Sequence, residues 1–238
     1  METTYSIRKV SIWIFIVPML VINLCLFISV NWHLFQHTIF QVDPIGQSGF
    51  TIPYIDGSLS ISRTARTYPT YLLFKPGMLI TSILLIRYWI LNNSIFLIIN
   101  EKKGLNIFFI FGVGSAIFLI LHSIFFNINY EIDIYKFFQR FVLLGFIIFE
   151  IIAQFLLVKN IYKVKKKIEN LINKKILYLK MILVSMLVIV AIFSAPILNS
   201  SEYTHFKHAL EWNYFLGIVT FYLLTFFFWK RQIPTNNI

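Results

Sequence analysis

The sequence predicts an all-α membrane protein, a single bundle of six transmembrane helices. Hydrophobic residues make up 58% of the 238 residues and charged residues only 13%, whereas soluble domains are nearer half apolar and a quarter charged. Six separate apolar runs each have the roughly 20 residues that a helix needs to cross a bilayer. They lie at 10–30, 71–91, 105–126, 134–158, 176–198 and 209–229, and they make 1–238 one membrane domain.

The apolar runs are continuous rather than alternating, which favours helices over the shorter alternating strands of a membrane barrel. The first run, 10–30, follows Arg8 and Lys9. It is longer than the apolar core of a secretory signal peptide and lacks a cleavage site of small residues. We therefore expect it to be a retained first span.

The distribution of Lys and Arg predicts the orientation, because positively charged connections stay in the cytoplasm. Most of these residues lie before the first run, after the second, after the fourth and after the sixth. The opposite connections carry only Arg63, Arg66 and Lys207. Both termini are expected to be cytoplasmic, in the plasma (inner) membrane if the source is bacterial. The net charge of +11 is explained by this topology, so we expect no nucleic-acid partner.

The fourth connection, 159–175, is expected to be an amphipathic helix on the cytoplasmic leaflet. Ile161, Val164, Ile168 and Leu171 recur at helical spacing, with Lys on the other faces. Each Lys near the surface favours anionic lipid by about 1 kcal/mol. Anionic lipid is therefore the expected partner, and a specific protein partner is the alternative.

The longest polar segment runs from Ile52 to Gly77, between the first two spans. It carries Arg63, Arg66 and Lys75, whose charges suit a lipid phosphate, since guanidinium groups bind phosphate by paired hydrogen bonds. Pro76 lacks a backbone N–H, so the second helix is expected to begin near it. The segment predicts a lipid-headgroup site on the outer side.

Ionisable groups inside spans are costly and are functional candidates by default. At 100° per residue, one face of the fourth span, expected to point into the bundle, carries Lys136, Arg140, Glu150 and Gln154. Glu150 is expected to pair with Arg140 or to hydrogen-bond Gln154, and proton or ion transport is the alternative. The predicted intramembrane polar residues are His122, Arg140, Glu150 and Gln154.

His208 and Glu211 are three residues apart at the start of the last span, so their side chains are neighbours on a helix. A carboxylate can orient and charge an imidazole for general acid–base catalysis. The alternative is that they satisfy loop backbone and each other. We expect no metal, since no ligand set has a diagnostic spacing, and no cofactor, since no nucleotide-binding motif is present.

Span three contains Gly112 and Ala116, a pair of small residues four apart that lets another helix approach closely. Packing within the chain is the favoured interpretation and a dimer interface is the alternative. The sequence does not fix the oligomeric state.

Two stretches carry motifs of a known kind. The polar segment has Pro53, Ile55 and the run 58–62, followed by Tyr68-Pro69 before the second span. The last span opens with a small residue, an acid and an aromatic residue, here Ala209, Glu211 and Trp212. The first stretch resembles the first outer loop and second span of the DRAM/Frag/Sfk family of membrane proteins, and the second resembles that family's last span.

The resemblance implies six spans with both ends cytoplasmic. It also implies either assistance in lipid remodelling, as in the Frag-type proteins of glycosylphosphatidylinositol remodelling, or a non-enzymatic role as scaffold or regulator, as in the autophagy modulators. The fourth connection is longer and more basic than the family pattern, and a bacterial source would not have that glycolipid. A lipid-headgroup site is the favoured function, with a scaffold and a small-solute transporter as alternatives.

Overall fold

The computed structural model describes residues 2–41, 51–100, 104–127, 133–198 and 202–230. Six long helices are each apolar and long enough to cross a membrane, which confirms the predicted fold class. In the order of the chain, and with two short helices between the first and second spans, the helices are α1 (Glu2–Val30), α2 (Pro53–Asp56), α3 (Ile61–Arg66), α4 (Thr70–Asn100), α5 (Ile107–Phe125), α6 (Asp133–Val164), α7 (Lys174–Leu198) and α8 (Thr204–Phe228).

Helices that follow one another in the chain run antiparallel and pack side by side, from α4 to α5, α5 to α6 and α6 to α7, while α8 packs on both α7 and α1. The short α2 and α3 lie across one end of the bundle and contact α1, α4 and α8. We call this end, where α4 and α8 begin, the cap end. The opposite end, where α6 ends and α7 begins, is the lysine end.

Local sequence explains the two short helices. Pro53 occupies the first turn of α2, where its missing N–H costs nothing. Gly57 ends α2 in the left-handed conformation with φ 58°, and its N–H donates to the Pro53 carbonyl. The Ser60 side chain caps α3 by accepting a hydrogen bond from the Arg63 N–H at 3.1 Å.

The small residues of α5 do permit close packing within the chain. A Cβ at Gly112 would lie 2.2 Å from the Trp89 ring of α4, and both Trp89 and Ala116 are fully buried. The helices α4 and α5 therefore approach closely at Gly112, as the favoured interpretation predicted.

The predicted amphipathic helix at 159–175 is wrong. Helix α6 continues to Val164, and a turn and a short 3-10 helix (Glu169–Leu171) lead into α7. Ile161 and Ile168 are buried against the protein rather than facing lipid. Their apolar side chains find partners at the end of the bundle, so the connection needs no lipid-facing helix.

Backbone hydrogen bonds fix this connection to the end of α8. Ile172 and Trp229 form an isolated antiparallel bridge. The Asn173 N–H donates to the Phe228 carbonyl at 2.8 Å, and the Lys230 N–H donates to the Leu171 carbonyl at 2.9 Å. In a surface helix these backbone groups would be bonded within the helix and could not pair with the end of α8. This pairing is the physical reason why the connection is not the predicted helix.

The predicted span 71–91 starts one residue after the observed start of the second long helix, but the prediction that the helix itself begins near Pro76 is wrong. Helix α4 begins at Thr70, and Pro76 lies in its second turn. Pro76 is the seventh residue of α4, so its missing N–H removes one helical bond, the one to the Leu72 carbonyl, while the rest of the 31-residue helix continues. The next residue, Gly77, packs on the Val21 side chain of α1, which a Cβ would meet at 2.5 Å.

We expect Gly112→Ala to lower the free energy of unfolding by about 2 kcal/mol, because the buried Trp89 ring has no room to move. Thermal unfolding in detergent measures the change. The matched control is Gly114→Ala, whose Cβ would meet the ring of Phe149 less closely, at 2.7 Å, and that ring is only half-buried. Equal losses in the two variants would contradict the proposed contact.

Candidate functional site

The start of α8 holds the segment that contains α2 and α3. The Nδ1 atoms of His205 and His208 lie 3.2 and 3.0 Å from the Gly57 carbonyl oxygen, so both imidazoles can donate to one acceptor. A Cβ at Gly57 would lie 1.8 Å from the His205 carbonyl oxygen. Glycine is therefore required here twice, for its left-handed backbone and for this close approach to α8.

Two more side chains of α8 extend the same contact. The Trp212 indole N–H donates to the Leu59 carbonyl at 2.8 Å, and the Asn213 amide donates to the Tyr54 carbonyl at 2.7 Å. The Tyr54 and Trp212 rings also meet edge to face, with centroids 4.9 Å apart. We call these contacts, together with those of His205, His208 and Glu211, the latch.

The predicted pair of His208 and Glu211 lies in this latch, but the structure does not join the two side chains. Glu211 accepts a hydrogen bond from the Ser62 N–H at 3.3 Å, while His208 contacts Gly57. Across the described residues, no hydrogen bond connects the imidazole with the carboxylate. This arrangement fits the alternative in which both residues satisfy the loop backbone.

The three predicted lipid-binding cations lie at the cap end. Arg63 and Arg66 are exposed on α3, and Lys75 is half-buried in α4. The Arg66 guanidinium lies 5.8 Å from the centre of the Phe126 ring. In the described ranges, none of the three cations is paired with a carboxylate, so their charges remain available to an anion.

His122 lies at the same end and also contacts Phe126. Its ring is 5.3 Å from Phe126 and 6.4 Å from Phe74, measured between centroids. Its Nδ1 is buried and, in the described part of the chain, has no hydrogen-bond partner. His122 and Arg66 therefore both lie close to the Phe126 ring.

The polar residues predicted to share one face of α6 are not all buried. Glu150 and Gln154 are fully buried, whereas Arg140 is exposed, and the Lys136 side chain lies outside the described residues. At 100° per residue, Arg140 is about 80° around the helix from Glu150. That rotation takes the guanidinium out of the bundle, so the predicted pairing of Arg140 with Glu150 is wrong.

Glu150 is the centre of a buried hydrogen-bond network that joins three helices. Its carboxyl accepts from the Ser115 hydroxyl of α5 at 2.6 Å and from the Gln154 amide at 3.0 Å. The Tyr222 hydroxyl of α8 donates to the same carboxyl. The predicted hydrogen bond between Glu150 and Gln154 is confirmed.

Lys180 of α7 was not among the predicted intramembrane residues, although it is fully buried. Its Nζ donates to the Thr225 hydroxyl at 2.7 Å and lies 3.9 Å from the Phe221 ring centre. Thr225 in turn contacts the Tyr88 hydroxyl at 3.3 Å. A lysine inside the predicted span 176–198 was enough to identify a candidate intramembrane residue. It was not distinguished from the lysines of the neighbouring connection.

Asp56 organises the segment before α3. Partial burial raises the pKa of the Asp56 carboxyl, but hydrogen bonds from Ser58, Ile52 and Thr51 outweigh it and lower the pKa to about 2. The backbone N–H groups of Ser58 and Ile52 donate at 2.8 and 2.9 Å, and the Thr51 hydroxyl donates at 2.9 Å. The ionised side chain thereby closes the turn that presents Gly57 to α8.

No protein-family model, curated protein or solved structure matches the chain. The resemblance to the DRAM/Frag/Sfk family therefore stays a prediction. Within the described ranges, no group of three or more His, Cys, Asp or Glu residues could hold a metal ion.

We expect the carboxyl carbon of Asp56, followed by nuclear magnetic resonance during a pH titration, to show a midpoint near 2. The lowered pKa means that the carboxylate stabilises the segment above its ordinary pKa of about 3.9. This contribution is lost as the pH falls through about 2. In Thr51→Val the midpoint should move upward, and an ordinary midpoint in the unsubstituted protein would contradict the hydrogen-bonded turn.

Proposed function

We propose that this integral membrane protein binds the phosphate of a lipid headgroup at its cap end through Arg63, Arg66 and Lys75. The observation that carries the proposal is that Arg63 and Arg66 stand exposed on one short helix without a carboxylate partner among the described residues. Residues three apart face the same side of a helix, so both guanidinium groups can reach one phosphate.

The latch supports this proposal because it holds the cations in place. Helix α3 is too short to be stable alone, since isolated helices below about 12 residues are marginal in water. The Trp212 indole donates to the Leu59 carbonyl just before α3, and the Ser62 N–H in the first turn of α3 donates to the Glu211 carboxyl. These two bonds fix the start of α3 to a membrane-spanning helix. Binding then costs less conformational entropy than it would on a mobile loop.

Exposed aromatic residues support a position at the membrane interface. Tyr68 and Tyr203 are exposed at the cap end, and Tyr is enriched where bilayer meets water. Lys75, half-buried one turn into α4, has a long apolar stem that lets its ammonium reach the headgroup level. The three cations would therefore lie at the depth of lipid phosphates.

A non-enzymatic scaffold is the second candidate, and the latch favours it over catalysis. His208 and Glu211 each use their polar atoms to bind the backbone of the cap segment. In this role they position α3 and do not act on a substrate. Lipid binding and a scaffold role are compatible with each other, whereas lipid remodelling needs a catalytic group.

The lysine end is proposed to face the cytoplasm and to bind anionic lipid. Several Lys residues remain exposed there although the connection is not a surface helix, and one acid, Glu169, is bonded to Lys174. The charge asymmetry between the ends supports the orientation. The exposed Lys residues are Lys159, Lys163, Lys166, Lys167, Lys174 and Lys175.

We expect Arg63→Ala combined with Arg66→Ala to reduce co-purification of anionic phospholipid at least tenfold, since hydrogen bonds to charged groups contribute about 1.5–3 kcal/mol each. Mass spectrometry of lipids extracted from the purified protein measures the loss. All the proteins compared carry Lys166→Ala and Lys167→Ala, which reduces the lipid held at the lysine end. Arg63→Lys combined with Arg66→Lys keeps both charges of α3, should lose much less lipid, and serves as the control. Unchanged lipid in the arginine variant would refute the cap-end site.

The role of Glu211 is tested by two substitutions. Glu211→Gln keeps an oxygen that can accept from Ser62 and should change stability little, whereas Glu211→Leu should cost about 1–2 kcal/mol. After incubation with a native lipid extract, the unsubstituted protein and Glu211→Gln should give the same lipid profile. A product formed only by the unsubstituted protein would instead identify a lipid-modifying enzyme.

A further inference from the structure

The segment that follows α1, residues 31–41, carries large apolar side chains but takes no part in the core. It contains no Asp, Glu, Lys or Arg, and none of its residues, all of which the structure describes, is buried. The exposed fraction is 60% for Leu34, 82% for Ile39 and 47% for Phe40. Apolar surface of this kind is costly to leave in water. The segment therefore needs a covering that the described part of the chain does not supply.

The backbone of the segment is folded back on itself by short-range hydrogen bonds. The Leu34 N–H donates to the Asn31 carbonyl at 3.0 Å. The Thr38 hydroxyl donates to the Phe35 carbonyl at 2.7 Å and accepts from the Phe40 N–H at 3.2 Å. Backbone groups that are already paired lose less free energy on leaving water than free ones do. The segment can therefore enter the edge of a bilayer at a lower cost than an extended loop.

The depth of the segment follows from the length of α1. The apolar run 10–30 begins directly after Arg8 and Lys9 and has 21 residues. As a helix it is about 31 Å long, which matches a hydrocarbon core of about 30 Å. With the two cations at one boundary of the core, Val30 at the end of α1 lies at the other. The 31–41 segment thus starts where hydrocarbon meets headgroups.

The lipid-facing side of α1 continues toward this segment. Leu20, Leu24 and Phe27 share one face of the helix at spacings of four and three residues. They are exposed to a similar degree as Leu34 is. Leu34 follows Phe27 by seven residues, which is also the separation of Leu20 from Phe27. The apolar surface that α1 presents to lipid therefore extends past the end of the helix.

A hydrogen bond ties the far part of the segment to the same level of the bundle. The Tyr68 hydroxyl donates to the Ile39 carbonyl at 3.0 Å. Tyr68 is exposed and lies two residues before the start of α4 at Thr70. Tyrosine is enriched where hydrocarbon meets headgroups. The contact therefore holds Ile39 near the rim of the bundle rather than far out in water.

We propose that the 31–41 segment lies in the bilayer leaflet at the cap end and inserts Leu34, Ile39 and Phe40 among the acyl chains just below the headgroups. Because the segment has no charged side chain of Asp, Glu, Lys or Arg, no such ion has to leave water when it inserts. Continuity with the lipid-facing side of α1 favours lipid over a second copy of the chain as the occupant. This surface contacts acyl chains and does not depend on the phosphate site of α3.

Spin labels on single cysteines of the full chain, reconstituted in phosphatidylcholine vesicles, test the insertion. Every protein carries Cys25→Ser, which removes the one native cysteine. The labels are attached at Leu34→Cys and Ile39→Cys. Ile83→Cys, exposed in the middle of α4, is the reference for the bilayer core, and Lys166→Cys, exposed at the lysine end, is the reference for water. Electron paramagnetic resonance compares collisions with O₂, which concentrates in lipid, and with a nickel chelate, which stays in water.

We expect the ratio of O₂ to nickel collisions for Leu34→Cys and Ile39→Cys to be several-fold above that of Lys166→Cys and below that of Ile83→Cys. A ratio equal to that of Lys166→Cys would place the segment in water and would overturn the proposal. Dipolar broadening between labels on two chains would show that a second copy covers the surface, and this would also overturn it.

A second measurement needs no substitution. A phospholipid with a diazirine near the ester end of its acyl chain forms a carbene on illumination and inserts into neighbouring side chains, and mass spectrometry of peptides locates the adducts. We expect adducts in residues 31–41 at a yield similar to that at Leu24 and Phe27, which face lipid on α1. Adducts on α1 with none in residues 31–41 would contradict the insertion.

Discussion

The constraint on which the bundle depends is the burial of the Glu150 carboxyl. Polar groups in a membrane interior must find partners within the protein, because lipid offers none. Ser115 of α5, Gln154 of α6 and Tyr222 of α8 all donate to this carboxyl, and α4 joins through the Tyr88 ring against Tyr222. Apolar side chains alone would let these helices slide and rotate, since lipid is as apolar as they are. The hydrogen bonds fix α5, α6 and α8 in one arrangement relative to each other.

Helix α8 carries a different polar contact at each level of the membrane. At the cap end its side chains hold the α2–α3 segment, and in the core it provides Tyr222 to Glu150 and Thr225 to Lys180. At the lysine end the Phe226 carbonyl accepts from the Arg8 guanidinium at 3.1 Å. One helix thus contacts the proposed lipid site, the buried network and the lysine end.

The long-range layout was predictable from sequence because hydrophobic length is a local property. Six runs gave six helices, and the buried positions of Glu150 and Gln154 followed from their shared face. The exact partners were not predictable, since Ser115 and Tyr222 are unremarkable residues in an apolar span. The connection at 159–175 was misread because Ile161 and Ile168 have helical spacing, and only the tertiary structure shows that protein rather than lipid covers them. Whether His208 and Glu211 face each other or the backbone depended on where Gly57 and Ser62 lie.

A double-mutant cycle between Glu150 and Tyr222 tests the central claim most directly. The free energies of unfolding of Glu150→Gln, Tyr222→Phe and the double variant are compared with that of the unsubstituted protein. If the carboxyl unites the helices, the coupling energy should exceed about 1 kcal/mol, above the average of about 0.6 kcal/mol for hydrogen bonds within membranes. Additive losses, with a coupling energy near zero, would show that apolar packing rather than the buried carboxyl fixes the arrangement of the bundle.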